Sequence, residues 1–346
     1  MSANQVASHY NAVPNTDKIS RTDSRIYYLR NLNNWIKSLL ISEFLERLNE
    51  DGCSSATVLD LCCGKGGDLL KWQRGRIKEI VMADIAEVSL KDCESRYNSL
   101  SVGRSNQRPF KAQFIAIDLT KNRLSERFSN PEIQFDIVSC QFALHYSFRS
   151  EQCARQMLQN VTERLRPGGY FIGALPDANR IVHLLRQGNG FYENDVCRIE
   201  YTDKTVNLAE EQPPLFGAQL TFNLDEVVNC PEYLAYFPLL SKMLEEFGME
   251  LVYCKAFPEA IEYFRTEGRQ PEEAKNLLSR MSALEPYKPN SQLKGPETEY
   301  AGMEVKYTKE VEAQKTDGIK DPYMGILSKS EWEVISMYLV FAFRKK

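Results

Sequence analysis

Apolar residues follow two rhythms along this chain. Compact, mostly apolar runs lie at Val58–Leu61, Ile80–Asp84, Phe114–Asp118, Phe135–Gln141 and Tyr170–Ala174, and between them apolar residues return every three or four positions. A short run bounded by turn residues predicts a buried strand, and the longer rhythm predicts a helix packed against it. Strands alternating with helices predict an α/β fold with a mostly parallel sheet covered on both faces. Further on, the pattern predicts helices over 177–187, over Phe237–Phe247 with Gly248 as its cap, over 258–267 and from Ser328. Met249–Phe257 reads as a sixth strand and Met337–Phe343 as a seventh, entering antiparallel because it follows the sixth so closely.

Three stretches depart from this regularity. Residues 1–23 are polar and predict a flexible arm ahead of a domain spanning 24–346. From Arg25 the residues Ile26, Leu29, Trp35, Leu39, Leu40, Phe44 and Leu48 keep helical spacing, but Asn31, Asn33 and Asn34 interrupt it. Asparagine amides compete for backbone partners, so a break is expected there, with Lys37 opening a second helix. Residues 190–235 hold short alternating segments such as Gly217–Leu224, which predict a small antiparallel insertion; 288–322 is rich in Lys and Glu and predicts a mobile loop with little core.

Charge and cysteine usage narrow the class. With 43 basic and 47 acidic residues the net charge is −4, so a nucleic-acid substrate must meet a local basic patch rather than a globally basic surface. Nine cysteines without a C-x-x-C pair, beside only three histidines, argue against a zinc cluster and predict scattered reduced thiols; no metal site is expected. The first twenty residues have neither an apolar core nor a basic start, and no apolar run approaches the ~18 residues that span a bilayer. The expectation is a soluble, intracellular protein.

The candidate chemistry centres on Val58–Trp72, a run ending in an acid, a turn with Gly64, Gly66 and Gly67, and a helical restart at Leu69, Leu70 and Trp72. Glycines let the backbone approach a ligand, and the N–H groups of a new helix attract its polar parts. A phosphate loop of the Gly-Lys-Ser/Thr kind fails because Gly66 follows Lys65, and a dinucleotide loop fails because position 69 is Leu. What remains, Asp60-x-Cys62-x-Gly64-x-Gly66, resembles the first motif of class I S-adenosylmethionine-dependent methyltransferases, with Cys62 where that family usually has Gly. Asp84, ending the second run, is placed to accept bonds from two ribose hydroxyls. Asp118 ends the third run, where such methyltransferases hold adenine; a capping role is the competing reading. Phe142, His145, Tyr146 and Phe148 crowd the end of the fourth run, where they can stack a planar base and read its edge.

In order, NLNNWIK, LDLCCGKGGDLLKW, ADIAEVS, QFALHYSF, PGGYFIGALPDANRI, CPEYL and MYLVFAF resemble the eukaryotic mRNA cap guanine-N7 methyltransferases from about Arg25 to the C-terminus. The resemblance implies a Rossmann-like class I methyltransferase fold and S-adenosylmethionine as cofactor. Cofactor contacts fall on Lys37, Cys62, Gly64, Asp84, Asp118, Gln141 and Tyr146, and cap contacts on Asn33, Asn34, Lys65, Lys71, Arg96, Phe142, His145, Glu232 and Tyr338. Guanine N7 has a lone pair and no proton, so in-line methyl transfer needs no general base; positioning is the expected mechanism, with Glu232 favouring the developing cation. Lys65, Lys71 and Arg96 are expected at the triphosphate. The resemblance further implies capped RNA as partner, nuclear residence and, as in animal members, an activating small protein. The alternative is a cap-binding or regulatory protein whose cofactor site is weakened by Cys62.

Overall fold

The computed structural model describes Val6, Ser8, Asn11 and residues 22–100, 109–225, 228–316 and 324–346, so most of the expected N-terminal arm lies outside the described residues. Its centre is a seven-stranded sheet in the order β10-β13-β5-β4-β1-β2-β3. The strands are β1 (Thr57–Leu61), β2 (Glu79–Asp84), β3 (Lys111–Ala116), β4 (Phe135–Gln141), β5 (Leu165–Pro176), β10 (Met249–Ala256) and β13 (Tyr338–Lys345). β1 to β5 are mutually parallel, while β13 enters antiparallel between β5 and β10. This is the class I methyltransferase arrangement. Side chains alternate along each strand, so neighbours serve different cores: Val58, Ile80 and Ile137 join one, Leu59, Val81 and Val138 the other.

Helices α1 (Tyr27–Glu50), α2 (Leu69–Arg74), α3 (Glu87–Asn98), α4 (Glu151–Thr162), α5 (Ala178–Gln187), α6 (Phe237–Glu246), α7 (Phe257–Thr266), α8 (Pro271–Arg280), α9 (Met303–Thr316) and α10 (Lys329–Ile335) complete the main elements. The expected break at Asn31–Asn34 does not occur: α1 runs through it without interruption. Tertiary partners take up part of this amide capacity, and the rest turns back onto the helix itself. Asn31 Nδ2 donates to the Ser282 carbonyl, and Asn34 donates to the Arg30 carbonyl while its Oδ1 accepts from Lys71. Each Asn costs about 0.6 kcal/mol against Ala in a helix, whereas burying Leu32, Trp35 and Ile36 contributes roughly 1.5–3 kcal/mol apiece. Packing outweighs propensity.

Three further differences concern the second half, and the small antiparallel insertion expected within 190–235 is present. β5 begins at Leu165 and takes in the Arg166–Gly169 turn, with Gly168 at φ +77. Cys230–Tyr233 lies in a strand, β9 (Val228–Tyr233), which pairs with β8 (Gln219–Leu224); β6 (Phe191–Glu193) and β7 (Cys197–Tyr201) complete a four-stranded antiparallel sheet. α8 was not foreseen. Nor is 288–322 without structure: it contains α9, and Tyr300 packs with Tyr287 and Ile326 in a small core beside the pair β11 (Glu285–Tyr287) and β12 (Met324–Ile326). Residues 317–322 lie outside the described residues.

Candidate active site

The β1–α2 turn is bent by three departures into left-handed backbone at alternate positions: Cys62 at φ +55, Gly64 at +51 and Gly66 at +73. A Cβ on Gly66 would stand 2.6 Å from Cys93 Sγ, so the turn packs closely on α3. Cys62 adopts a conformation natural to the glycine usual there, at a cost of about 1 kcal/mol. A hydrogen bond with Cys140, then burial, holds its thiol well above the usual range, so it adds no charge to the site.

Asp84 closes the turn from β2. Its two oxygens accept from the backbone N–H groups of Gly64 and Ala86, each at 2.7 Å. Burial raises its pKa against these bonds. Beyond β3, Asp118 lies two residues past the strand end and accepts from Thr120 N and Oγ1 and from Lys121. Burial raises its pKa, but those bonds outweigh it and lower the net value. Asp118 caps no helix, because the next helical turn, Leu124–Arg127, starts after Arg123; it closes a local turn and lines a cavity of about 270 Å³ together with Cys62, Gly64, Asp84, Gln141 and Tyr146. Six of the seven expected cofactor residues thus share one cavity at the carboxyl ends of the parallel strands. Gln141 Nε2 donates to Ser139, while its buried Oε1 has no partner among the described residues.

Lys37, the seventh, approaches the glycine turn from α1. It pairs at 2.8 Å with Asp68, which also pairs at 2.7 Å with Lys71. Asp68 precedes α2 as an N-cap residue would, yet its side chain makes no cap bond and serves the lysines instead. Burial pushes its carboxyl up, but the two lysines pull it down further, to about 2. Behind it, Asp60 accepts from Trp72 Nε1 at 3.1 Å. Burial, then the neighbouring Asp68 charge, pushes Asp60 up to about 7. Neither acid was singled out from the sequence for this role, since Lys37 on α1, Asp60 on β1 and the Asp68–Lys71 pair at α2 come together only in the fold.

The second wall comes from distant segments. Phe142, at φ +58, leads into a 3-10 turn over Leu144–Arg149. Its ring meets Tyr338 edge-on at 5.2 Å, at the start of β13. Glu232, buried on β9, accepts from Tyr146 Oη at 3.1 Å and faces His145 Nε2 at 3.3 Å. Among the described residues His145 Nδ1 is buried without a hydrogen-bond partner, as is Asn33 Oδ1 on α1. Lys65 pairs with Asp92 on α3, and Arg96 lies one turn beyond Asp92, but no side-chain contact among the described residues ties Arg96 to this wall. Thr120, Ser147, Arg149 and Tyr233 also line the cavity and were not anticipated.

The arrangement is a nucleoside-sized cavity with a mostly apolar lining and a few carboxylate and amide groups, beside an aromatic, carboxylate-bearing wall and bordered by half-buried lysines. A family model described as the mRNA (guanine-N(7))-methyltransferase domain matches residues 1–346. Among curated relatives, an mRNA cap guanine-N(7) methyltransferase of Caenorhabditis elegans is 49% identical over 348 residues, covering 100% of this chain and 88% of its own. Proteins of the same name from Drosophila melanogaster (40%, covering 98% and 76%) and, as methyltransferase 1, Oryza sativa subsp. japonica (39%, covering 100% and 82%) are also similar.

Proposed function

The chain belongs to the mRNA cap guanine-N7 methyltransferase family, and from that membership we propose how its residues divide the reaction. The protein transfers a methyl group from S-adenosylmethionine to N7 of the terminal guanosine of the 5′ cap. The cofactor supplies an electrophilic methyl on a sulfonium centre. The 270 Å³ cavity suits it: Asp84 spends one lone pair per oxygen on the backbone and keeps others for ribose hydroxyls, and the unpaired Gln141 Oε1 awaits a donor. Asp118 and Tyr146 border the adenosine side, Cys62 and Gly64 offer backbone, and Lys37 approaches over the turn.

Glu232 carries the cap reading. A buried carboxylate between Tyr146 and His145 accepts the N1 and N2 protons of guanine, and it favours the positive charge that the base gains at N7. Phe142 and Tyr338 give the ring its apolar walls, and Asn33 and Asn34 add polar contacts from α1. Lys65, Lys71 and Arg96 meet the triphosphate. Since N7 carries no proton, no side chain acts as a base, and holding the two reactants in line supplies several kcal/mol of the barrier. The partner is capped RNA; an activating small protein and nuclear residence belong to the same reading. Among the described residues no helix is long and apolar enough to cross a membrane.

The direct test is transfer of labelled methyl to RNA ending in an unmethylated guanosine cap, beside the same RNA without it. Cap-dependent incorporation that vanishes when N7 is already methylated is expected. Cap binding without transfer would instead favour the regulatory alternative.

A further inference from the structure

Lys71 borders a second concavity as well as the site above. A groove of about 610 Å³ runs between α1, the end of α2 and α8, and Lys71 is part of its lining. Five basic side chains line it against three carboxylates, in a chain whose net charge is −4. Three of the five are already paired: Arg269 with Glu43 and Glu50, Arg280 with Glu273, and Lys71 with Asp68. Arg74 and Arg76 are exposed and make no ion pair among the described residues. Arg74 follows Lys71 by one helical turn on α2, and the left-handed backbone at Arg76 (φ +51) ends that segment. The cationic line therefore starts at the side chain assigned to the triphosphate and continues away from the cofactor. Beneath it Leu39 and Leu277 give the groove a partly apolar floor.

We propose that this groove holds the RNA chain behind the cap, with backbone phosphates on Arg74 and Arg76 and bases lying over the apolar floor. The inference rests on the cap-site reading, because Lys71 is what joins the two. It is independent of sequence, since phosphate contacts carry no base information. Each cation that neutralises a phosphate of a single strand contributes about 0.7 to the slope of log affinity against log salt.

The test compares KM for methylation of a capped RNA of about twenty nucleotides with KM for a capped dinucleotide, in the wild-type protein and in Arg74→Ala/Arg76→Ala. In the wild type the longer substrate should have the lower KM, and the difference should close as salt rises. In the double variant KM for the long RNA should rise about five- to tenfold, with its salt slope reduced by about 1.4. KM for the dinucleotide should stay within twofold and the melting temperature should be unchanged. Arg74→Lys/Arg76→Lys should recover most of the long-RNA affinity. An equal change on both substrates, or none on either, would overturn the proposal and leave the groove to another occupant such as an acidic protein segment. A wild-type protein that fails to methylate the dinucleotide would overturn the cap-site reading itself.

Discussion

The two walls of the site are built in different ways. The cofactor wall comes from consecutive strand-turn units, β1 with its glycine turn, β2 with Asp84, and β4 with Gln141, each tied to its neighbour by backbone bonds such as those to Asp84. The wall proposed for the cap draws on Phe142 and His145 from the turn after β4, Glu232 from the small sheet and Tyr338 from β13, with Asn33 of α1 assigned to it. One wall is local and preformed by its own turns; the other exists only when four distant segments pack. A change in the first should therefore act on cofactor affinity, and a change in the second on recognition of the base.

Removing Glu232 should separate the walls most sharply. Glu232→Ala is expected to lower methylation of capped RNA by 10²–10³-fold, about 3–4 kcal/mol. Calorimetric affinity for S-adenosylmethionine should stay within a few-fold; a parallel loss of both would show that the walls are one unit. Next in size, Asp68→Ala leaves the half-buried Lys37 and Lys71 without their shared partner and should destabilise the fold by about 2 kcal/mol in urea unfolding. Asp84→Ala should weaken cofactor binding by roughly 30-fold, about 2 kcal/mol, while cap-analogue binding in its absence is retained.

The two buried acids give opposite pH signatures. Asp68 is held to about 2, below its unfolded value of 3.8, so its contribution is present above pH 4 and disappears as pH falls toward 2. Asp60 is raised to about 7, so its contribution is complete below pH 4 and is lost as pH rises through 7. Melting of Asp60→Asn should lack that neutral-range decline; an unchanged profile would assign the decline to other groups. The smallest effect belongs to Cys62→Gly, which relieves left-handed strain but frees the unfolded chain, leaving stability within about 0.5 kcal/mol. Its cofactor affinity should remain within threefold, and a tenfold gain would show that the thiol obstructs the cavity.

The same division explains what could be read in advance. β1, β2, β4, β13 and the Cys62–Gly67 turn follow from short-range signals: apolar runs, terminal acids and glycines where the backbone must turn left-handed. The continuity of α1 through Asn31–Asn34 does not, because the partners that occupy those amides, Ser282 and Lys71, are hundreds or tens of residues away. The role of Asp68 was hidden for the same reason: its lysine partners include Lys37, 31 residues earlier. The helix within 288–322 was hidden by a composition rich in Lys and Glu, which describes an exposed face as well as a loop.

By itself the sequence determined the alternation of strands and helices from β1 to β5 and the glycine turn between β1 and α2. Those properties depend on periodicity and on residue types within a few positions of each other. Only the tertiary structure decided that α1 stays unbroken, that Glu232 meets Tyr146 and His145, and that two lysines from different helices share Asp68. Burial and pairing across long separations set those outcomes, because the gain from packing exceeds the local backbone preferences that sequence patterns express.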